Sequence, residues 1–229
     1  PKTSIICSPM TSLKTSIKTI TYLSDIGCLE IQGASLMITK GIKKYPLGED
    51  KQEISKLICD FEKMPRKECS VFYGVFFNDS ELVDKLIKIA RFYEGDDKIT
   101  INVISSLGNM FVRYKIYPSE ELYNLFFNLK SKRKVNYYVS LFIFRFPQFR
   151  NYKFKWDYIL SIPDISPKDK SKRNFYSIVN NIVLSGETIP VEYKNRVISL
   201  LEMFSKGNMG SVYNDEYIDL INRLVKQHG

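Results

Sequence analysis

From residue 79 onward, apolar positions recur at intervals of three and four. In SELVDKLIKIARFY, Leu82, Leu86, Ile89 and Tyr93 fall on one face of a 3.6-residue helix. Asp79 or Ser80 is placed to cap its first turn, Glu81 lies against the positive helix end, and Gly95 supplies a left-handed residue beyond the last turn. After the turn EGDDK, Ile99, Val103, Leu107, Met110 and Tyr114 predict a second helix. YPSEELYNLFFNL predicts a third, with Pro118 at the first helical position and Glu120 and Glu121 in the first turn. The spacing continues through KVNYYVSLFIFRF, KFKWDYILSI, KRNFYSIVNNIVLSG, IPVEYKNRVISLLEMF and YNDEYIDLINRLVKQ, each bounded by Gly, Pro or a polar cluster. VFYGVFF and VSLFIFRF have strand-like composition, but a short buried helix accounts for both. Before residue 79, SPMTSLKTSIKTITYLSD, CLEIQGASLMITKGIKK and DKQEISKLICDFEKM predict helices, the last with Asp50 and Glu53 placed as a capping box. The pattern predicts an all-α chain.

Taken in pairs, the first helices start near Ser80, Pro118, Phe154 and Pro190, at intervals of 38, 36 and 36 residues. A fixed period in that range predicts an α-solenoid, in which a two-helix unit buries its apolar face only by stacking on its neighbours. The segments beginning DSELVDKLIKIARFY, PSEELYNLFFNLKSKRK and PVEYKNRVISLLEMF resemble degenerate HEAT-type repeats over roughly residues 79–229. The resemblance implies one elongated domain over 1–229, a right-handed solenoid of about 5–6 stacked antiparallel pairs. Residues 1–78 would form irregular N-terminal helices and residues 79–229 the regular pairs.

Charge adds a location. The 229 residues carry 34 Lys and Arg against 25 Asp and Glu, a formal net charge of +9. Residues 130–173 hold twelve of the basic residues and three of the acids, and the rest of the chain is balanced. One segment therefore carries the whole excess, which points to an acidic protein, nucleic acid or anionic lipid as partner. Within it KSKR occurs twice, at Lys130, Ser131, Lys132, Arg133 and at Lys170, Ser171, Lys172, Arg173, and each copy runs into aromatics. The pairing puts both copies in turns between the two helices of consecutive repeats, where stacking sets them about 10 Å apart. The preceding turn, EGDDK, is acidic and the following one, SKGNMGSVYN, is nearly neutral, so the predicted basic ridge has a defined width. Candidate partner-binding residues are Lys130, Lys132, Arg133, Lys134, Tyr137, Tyr138, Arg150, Lys153, Lys155, Trp156, Lys170, Lys172 and Arg173. Solvated turns and complementation of the negative helix pole also account for such lysines.

Candidate chemistry is sparse. The single histidine, His228, stands next to the end of the sequence given, and no Ser-His-Asp or Cys-His set can be built without it. Cys7, Cys28, Cys59 and Cys69 are too scattered for a zinc site or a disulfide scaffold, so reduced thiols and a cytoplasmic location are expected. No phosphate-cradling glycine motif is present. Pro163-Asp164 with Glu192-Tyr193-Lys194 matches the string of a metal-dependent nuclease, but Asp164 is expected in a proline-rich loop and Glu192 in the first turn of a helix. Asp215 and Asp219 are expected in the first turn of the last helix. Trp156 reads chiefly as a core anchor and secondarily as an interface residue. No apolar run approaches the roughly 18 residues of a membrane span. The sequence predicts a non-catalytic repeat protein without a cofactor that binds an acidic protein, in an immunity, antitoxin or adaptor role. The alternative is a nucleic-acid-binding solenoid, related in outline to HEAT-like DNA glycosylases or to RNA-binding repeats, in which the cations meet phosphates and the rings stack on bases.

Overall fold

The structure, a computed structural model, describes residues 33, 35–66, 74, 76–207 and 211–226, and among these the chain is helical without strands. After a helical stretch over 35–44 come α1 (Lys51–Glu62), α2 (Ser80–Phe92), α3 (Asp97–Tyr114), α4 (Glu120–Leu129) and α5 (Asn136–Phe142). A 3-10 turn (Ile143–Arg145) and the one-turn α6 (Pro147–Arg150) lead to α7 (Lys155–Ile165), α8 (Asp169–Leu184), α9 (Val191–Ser205) and α10 (Ser211–Lys226). The predicted SPMTSLKTSIKTITYLSD helix, the start of CLEIQGASLMITKGIKK and most of VFYGVFF lie outside the described residues, as do Cys7, Cys28, Cys69 and His228.

Caps fix the helix starts. Asp50, Asp79 and Asp96 each accept from the amide two residues on, at 2.8, 3.0 and 3.0 Å, and Ser119 accepts from the Leu122 amide at 3.2 Å. Each bond occupies an amide that the helix itself leaves unpaired. Ser119 takes the cap of α4, so Pro118 stands before the helix and not at its first position. Gly95 does not close α2, whose C-cap is Tyr93 at φ −100°, while among the described residues the positive-φ glycines are Gly48 and Gly186. The residues after Tyr93 already belong to the approach to the Asp96 cap, leaving no room for a left-handed exit.

Helices α2 with α3, α4 with α5, α7 with α8 and α9 with α10 pack as sequence neighbours, and α3, α5, α8 and α10 pack successively on one another. Helix α1 continues that row by packing on α3. A helix covered on several sides is buried almost continuously, and α3 buries ten residues from Ile99 to Tyr114, among them the small Ser105, Ser106 and Gly108. Polar pairs join successive members of the row: Ser105 donates to Glu62 at 2.7 Å, Asn174 to Ser140 at 2.6 Å and Arg223 to Asn180 at 2.9 Å.

KVNYYVSLFIFRF is not one helix. It breaks at Phe142, because Phe146 turns to extended backbone before Pro147, as the residue preceding a proline is forced to do. An aromatic cluster holds the break: Phe146 stacks on Phe111 at 4.5 Å between ring centroids, and Phe149 meets Phe144 at 5.0 Å and Tyr158 at 5.5 Å. Asp164 sits inside α7 and not in a loop, since Pro163 falls near the helix end and costs it little ladder. Asp215 and Asp219 lie beyond the first turn of α10, which begins at Ser211.

A basic and aromatic groove

The two KSKR copies are not equivalent. Residues 130–133 occupy the turn between α4 and α5 as predicted, but α8 already starts at Asp169, so residues 170–173 form its first turn. The reason lies in Ser166, which closes α7 and accepts from the buried hydroxyl of Ser171 at 3.0 Å, drawing the second copy into the helix. Cations at that end oppose the helix dipole, so they do not serve as its complement.

The two copies also differ in what their charges meet. Lys132 and Lys134 reach back to Asp97 at 3.6 and 2.6 Å, so they share one carboxylate of the acidic turn of the preceding pair. The Lys134 ammonium in turn holds the Asp97 carboxyl below the usual carboxylate range. Lys130 lies over the Phe127 ring at 3.5 Å, and burial lowers the pKa of its ammonium. Arg133 is exposed and has no acidic partner among the described residues. In the second copy Lys172 pairs with Asp169 at 2.9 Å. Arg173 pairs with Glu216 at 2.5 Å and stacks 4.3 Å from Tyr213 and 4.6 Å from Tyr176. Lys170 has no acidic partner among the described residues: it sits 4.1 Å over Tyr137 and 5.0 Å over Tyr138, so a cation of the second copy meets the rings that follow the first. Burial, and next the neighbouring Lys168, push its pKa down.

Lys170, Arg173 and Tyr137 border a groove of about 880 Å³. Tyr137 and Leu141 of α5 form one wall, and the α5–α7 connection adds Phe144, Arg145, Phe149 and Arg150. One face of α8 forms the floor, from Lys170 through Ser177 and Asn181 to Ser185, with Tyr213 of α10 at the rim. Lys155 and Glu187 form an ion pair at the end where α8 exits. Arg145 and Arg150 are exposed and have no acidic partner among the described residues, yet each directly follows a ring of the connecting cluster, Phe144 and Phe149. Packing of those rings thus places Arg145 and Arg150 in the lining of the groove that Lys170 also borders.

Of the residues predicted to bind, Tyr137, Arg150, Lys155, Lys170 and Arg173 line this groove. Lys130, Lys132, Arg133, Lys134 and Lys172 do not, and Tyr138 is half-buried beneath Lys170. Lys153 and Trp156 border a separate hollow of about 470 Å³ with Tyr193. Trp156 is 4% exposed and stacked on Tyr193, whose hydroxyl donates to Asp157 at 3.0 Å, which makes it a core anchor. Sequence reasoning missed Arg145, Phe144, Asn181 and Tyr213. The available signal was Arg145-Phe146-Pro147, where a proline breaks a helix and leaves a cation at the break.

Among the described residues no group of three His, Cys, Asp or Glu side chains is arranged to hold a metal, and Cys59 is a half-buried free thiol. Among them, too, no helix is long and apolar enough to cross a membrane. No protein-family model matches the chain, and no solved structure matches it.

Proposed function

We propose that this chain is a non-catalytic helical-repeat protein, a right-handed solenoid of stacked helix pairs, that binds an acidic protein partner through the groove beside α8. The succession of packed second helices from α1 to α10 supports the solenoid. One observation carries the functional reading: Arg145, Arg150 and Lys170 border one groove without acidic partners among the described residues, while Lys132, Lys134, Lys155, Lys172 and Arg173 of the same segment pair with acids. Unpaired cations steer an acidic partner at encounter, and partly exposed rings supply contact area once it docks. Tyr137 and Tyr213 take the anchoring role, because Phe149 and Trp156 are buried in the core. Such a binder acts by masking or recruiting its partner, as immunity, antitoxin and adaptor proteins do.

The test is a pull-down from cell lysate with the wild-type chain and with an Arg145→Gln, Arg150→Gln, Lys170→Gln variant, the eluates assayed for protein and nucleic acid. A stoichiometric acidic protein retained by the wild type and lost by the variant supports the reading. Nucleic acid retained in its place refutes it in favour of phosphate binding.

A further inference from the structure

We infer that the groove is built for an extended, acid-rich peptide segment of about seven residues laid along α8, an assignment that rests on the acidic-partner reading above. The floor sets the length. Lys170 and Ser185 lie fifteen residues apart on one helix, about 22 Å at 1.5 Å per residue. An extended chain covers that distance in about seven residues at 3.3 Å each.

The floor also sets the conformation of the occupant. Ser177 and Ser185, both exposed, donate to carbonyls of their own helix, Arg173 at 3.0 Å and Ile182 at 2.7 Å, which leaves their hydroxyl oxygens as acceptors. The Asn181 amide, exposed one turn from each, has no partner among the described residues and offers both a donor and an acceptor. A row of such groups suits a ligand whose own amides and carbonyls are unsatisfied. An extended backbone meets that condition, whereas a helix has already used those groups internally.

Charge sets the composition. Arg145, Arg150 and Lys170 are unpaired, and a run of carboxylates both complements them and keeps itself extended by self-repulsion. Glu187 is the one acid lining the groove and already occupies Lys155, so it acts as an internal competitor for the ligand's carboxylates. The chain's own residues 1–32 carry three lysines against two acids and do not complement the site.

The probe is a fluorescein-labelled seven-glutamate peptide, titrated with the full chain and followed by anisotropy, with a seven-glutamine peptide and a seven-nucleotide oligothymidylate as comparators. Binding of the glutamate peptide alone is expected, about tenfold weaker in an Arg145→Gln, Arg150→Gln variant whose helical circular dichroism is unchanged. Asn181→Ala is expected to weaken it about threefold, and Glu187→Gln to tighten it about threefold by releasing Lys155. A gain of affinity is an outcome that damage to the fold does not produce. Absence of binding, affinities indifferent to all three variants, or tighter binding of the oligothymidylate overturns the inference. Dimerisation of the free chain that is lost in the Arg145→Gln, Arg150→Gln variant overturns it in favour of a second copy as occupant. If the peptide fails while the pull-down still yields an acidic protein, only the extended-segment inference falls. If no acidic protein is captured, the functional reading falls with it.

Discussion

Replacing Gly108 by alanine tests whether the row of second helices is packed as described. An alanine normally stabilises a helix interior relative to glycine by about 1 kcal/mol, so helix propensity alone predicts a gain. Gly108, however, sits where α3 crosses α5, and a Cβ there would stand 2.1 Å from Phe142 Cδ2 and 2.3 and 2.4 Å from two further ring carbons. Carbon atoms rest about 3.5–4.0 Å apart, so the ring has to retreat by roughly 1.5 Å. It is backed by Phe126, with ring centroids 6.4 Å apart, which resists that movement. Overpacking of this kind costs about 1–3 kcal/mol, and three ring atoms inside 2.5 Å put this site at the upper end. Subtracting the propensity gain leaves a net loss of about 2 kcal/mol, or a Tm lower by about 4–8 °C for a chain of this size. The assay is urea unfolding of the wild type, Gly108→Ala, Phe142→Ala and the double variant. With the ring gone the new methyl has room, so Gly108→Ala in the Phe142→Ala background should be neutral or stabilising, a coupling of about 2–3 kcal/mol. A raised Tm for Gly108→Ala, or costs that add within about 0.5 kcal/mol, would refute the α3–α5 contact.

Three further outcomes follow from named contacts. Changing Lys132, Arg133 and Lys134 together to serine should leave affinity for the seven-glutamate peptide within about twofold, because none of the three lines the groove and two of them share the Asp97 carboxylate; a larger loss by anisotropy would move the site to the α4–α5 turn. Asp79→Ala removes the amide bonds from Glu81 and Leu82, at 3.0 and 3.3 Å, together with the Lys43 contact at 2.9 Å, so unfolding free energy should fall by about 1–2 kcal/mol, and Asp79→Ser should recover part of it. Acid titration has a defined sign. The Lys51 ammonium and the Ile99 amide hold Asp96 low; at Asp79 burial pushes upward but the Lys43 and Leu82 hydrogen bonds outweigh it. Depressed carboxyl pKa values mean that the unfolded chain binds more protons, so this stability is present above about pH 4 and lost as pH falls through the folded values. Tm recorded from pH 5 to pH 2 should therefore drop less steeply for Asp96→Asn than for the wild type, and parallel slopes would contradict the assignment.

Helix positions were legible because local chemistry decides them. The aspartates at 50 and 79 and the apolar spacing of α2 and α3 act within a few residues of where they stand, and the structure finds them capped and buried as the pattern required. Gly95 misled because a glycine signals a left-handed exit only if nothing else claims the turn, and here the Asp96 cap follows at once. The break at Phe142 was obscured by an apolar run that satisfies either a long helix or two short pieces, and the rings of Phe111, Tyr152 and Tyr158 that decide between them come from elsewhere in the chain.

The groove was legible only as an excess of charge in the right segment. A sequence shows which residues are cationic, but not which cations find an acid, and that distinction separates Lys134, pinned to Asp97 from the preceding pair, from Lys170, which finds only the rings of Tyr137 and Tyr138. Counting KSKR as a unit therefore weighted the satisfied cations equally with the unsatisfied ones, and overlooked Arg145, which belongs to no cluster in sequence. Burial cost is the physical sorter: a cation kept near rings without a counter-charge is not stabilised by an ion pair, so its position is set by the backbone that carries it. For Arg145 and Arg150 that backbone is the aromatic-packed connection between α5 and α7, the same irregularity that broke the helical pattern. If the groove is the binding site, loosening that connection with Phe149→Ala should weaken the seven-glutamate peptide even though Phe149 is 0% exposed and carries no charge. The helical row should survive the change, with a stability loss of about 3–5 kcal/mol by urea unfolding. Affinity unchanged in a folded Phe149→Ala chain would mean that the arginines do not depend on the connection for their placement.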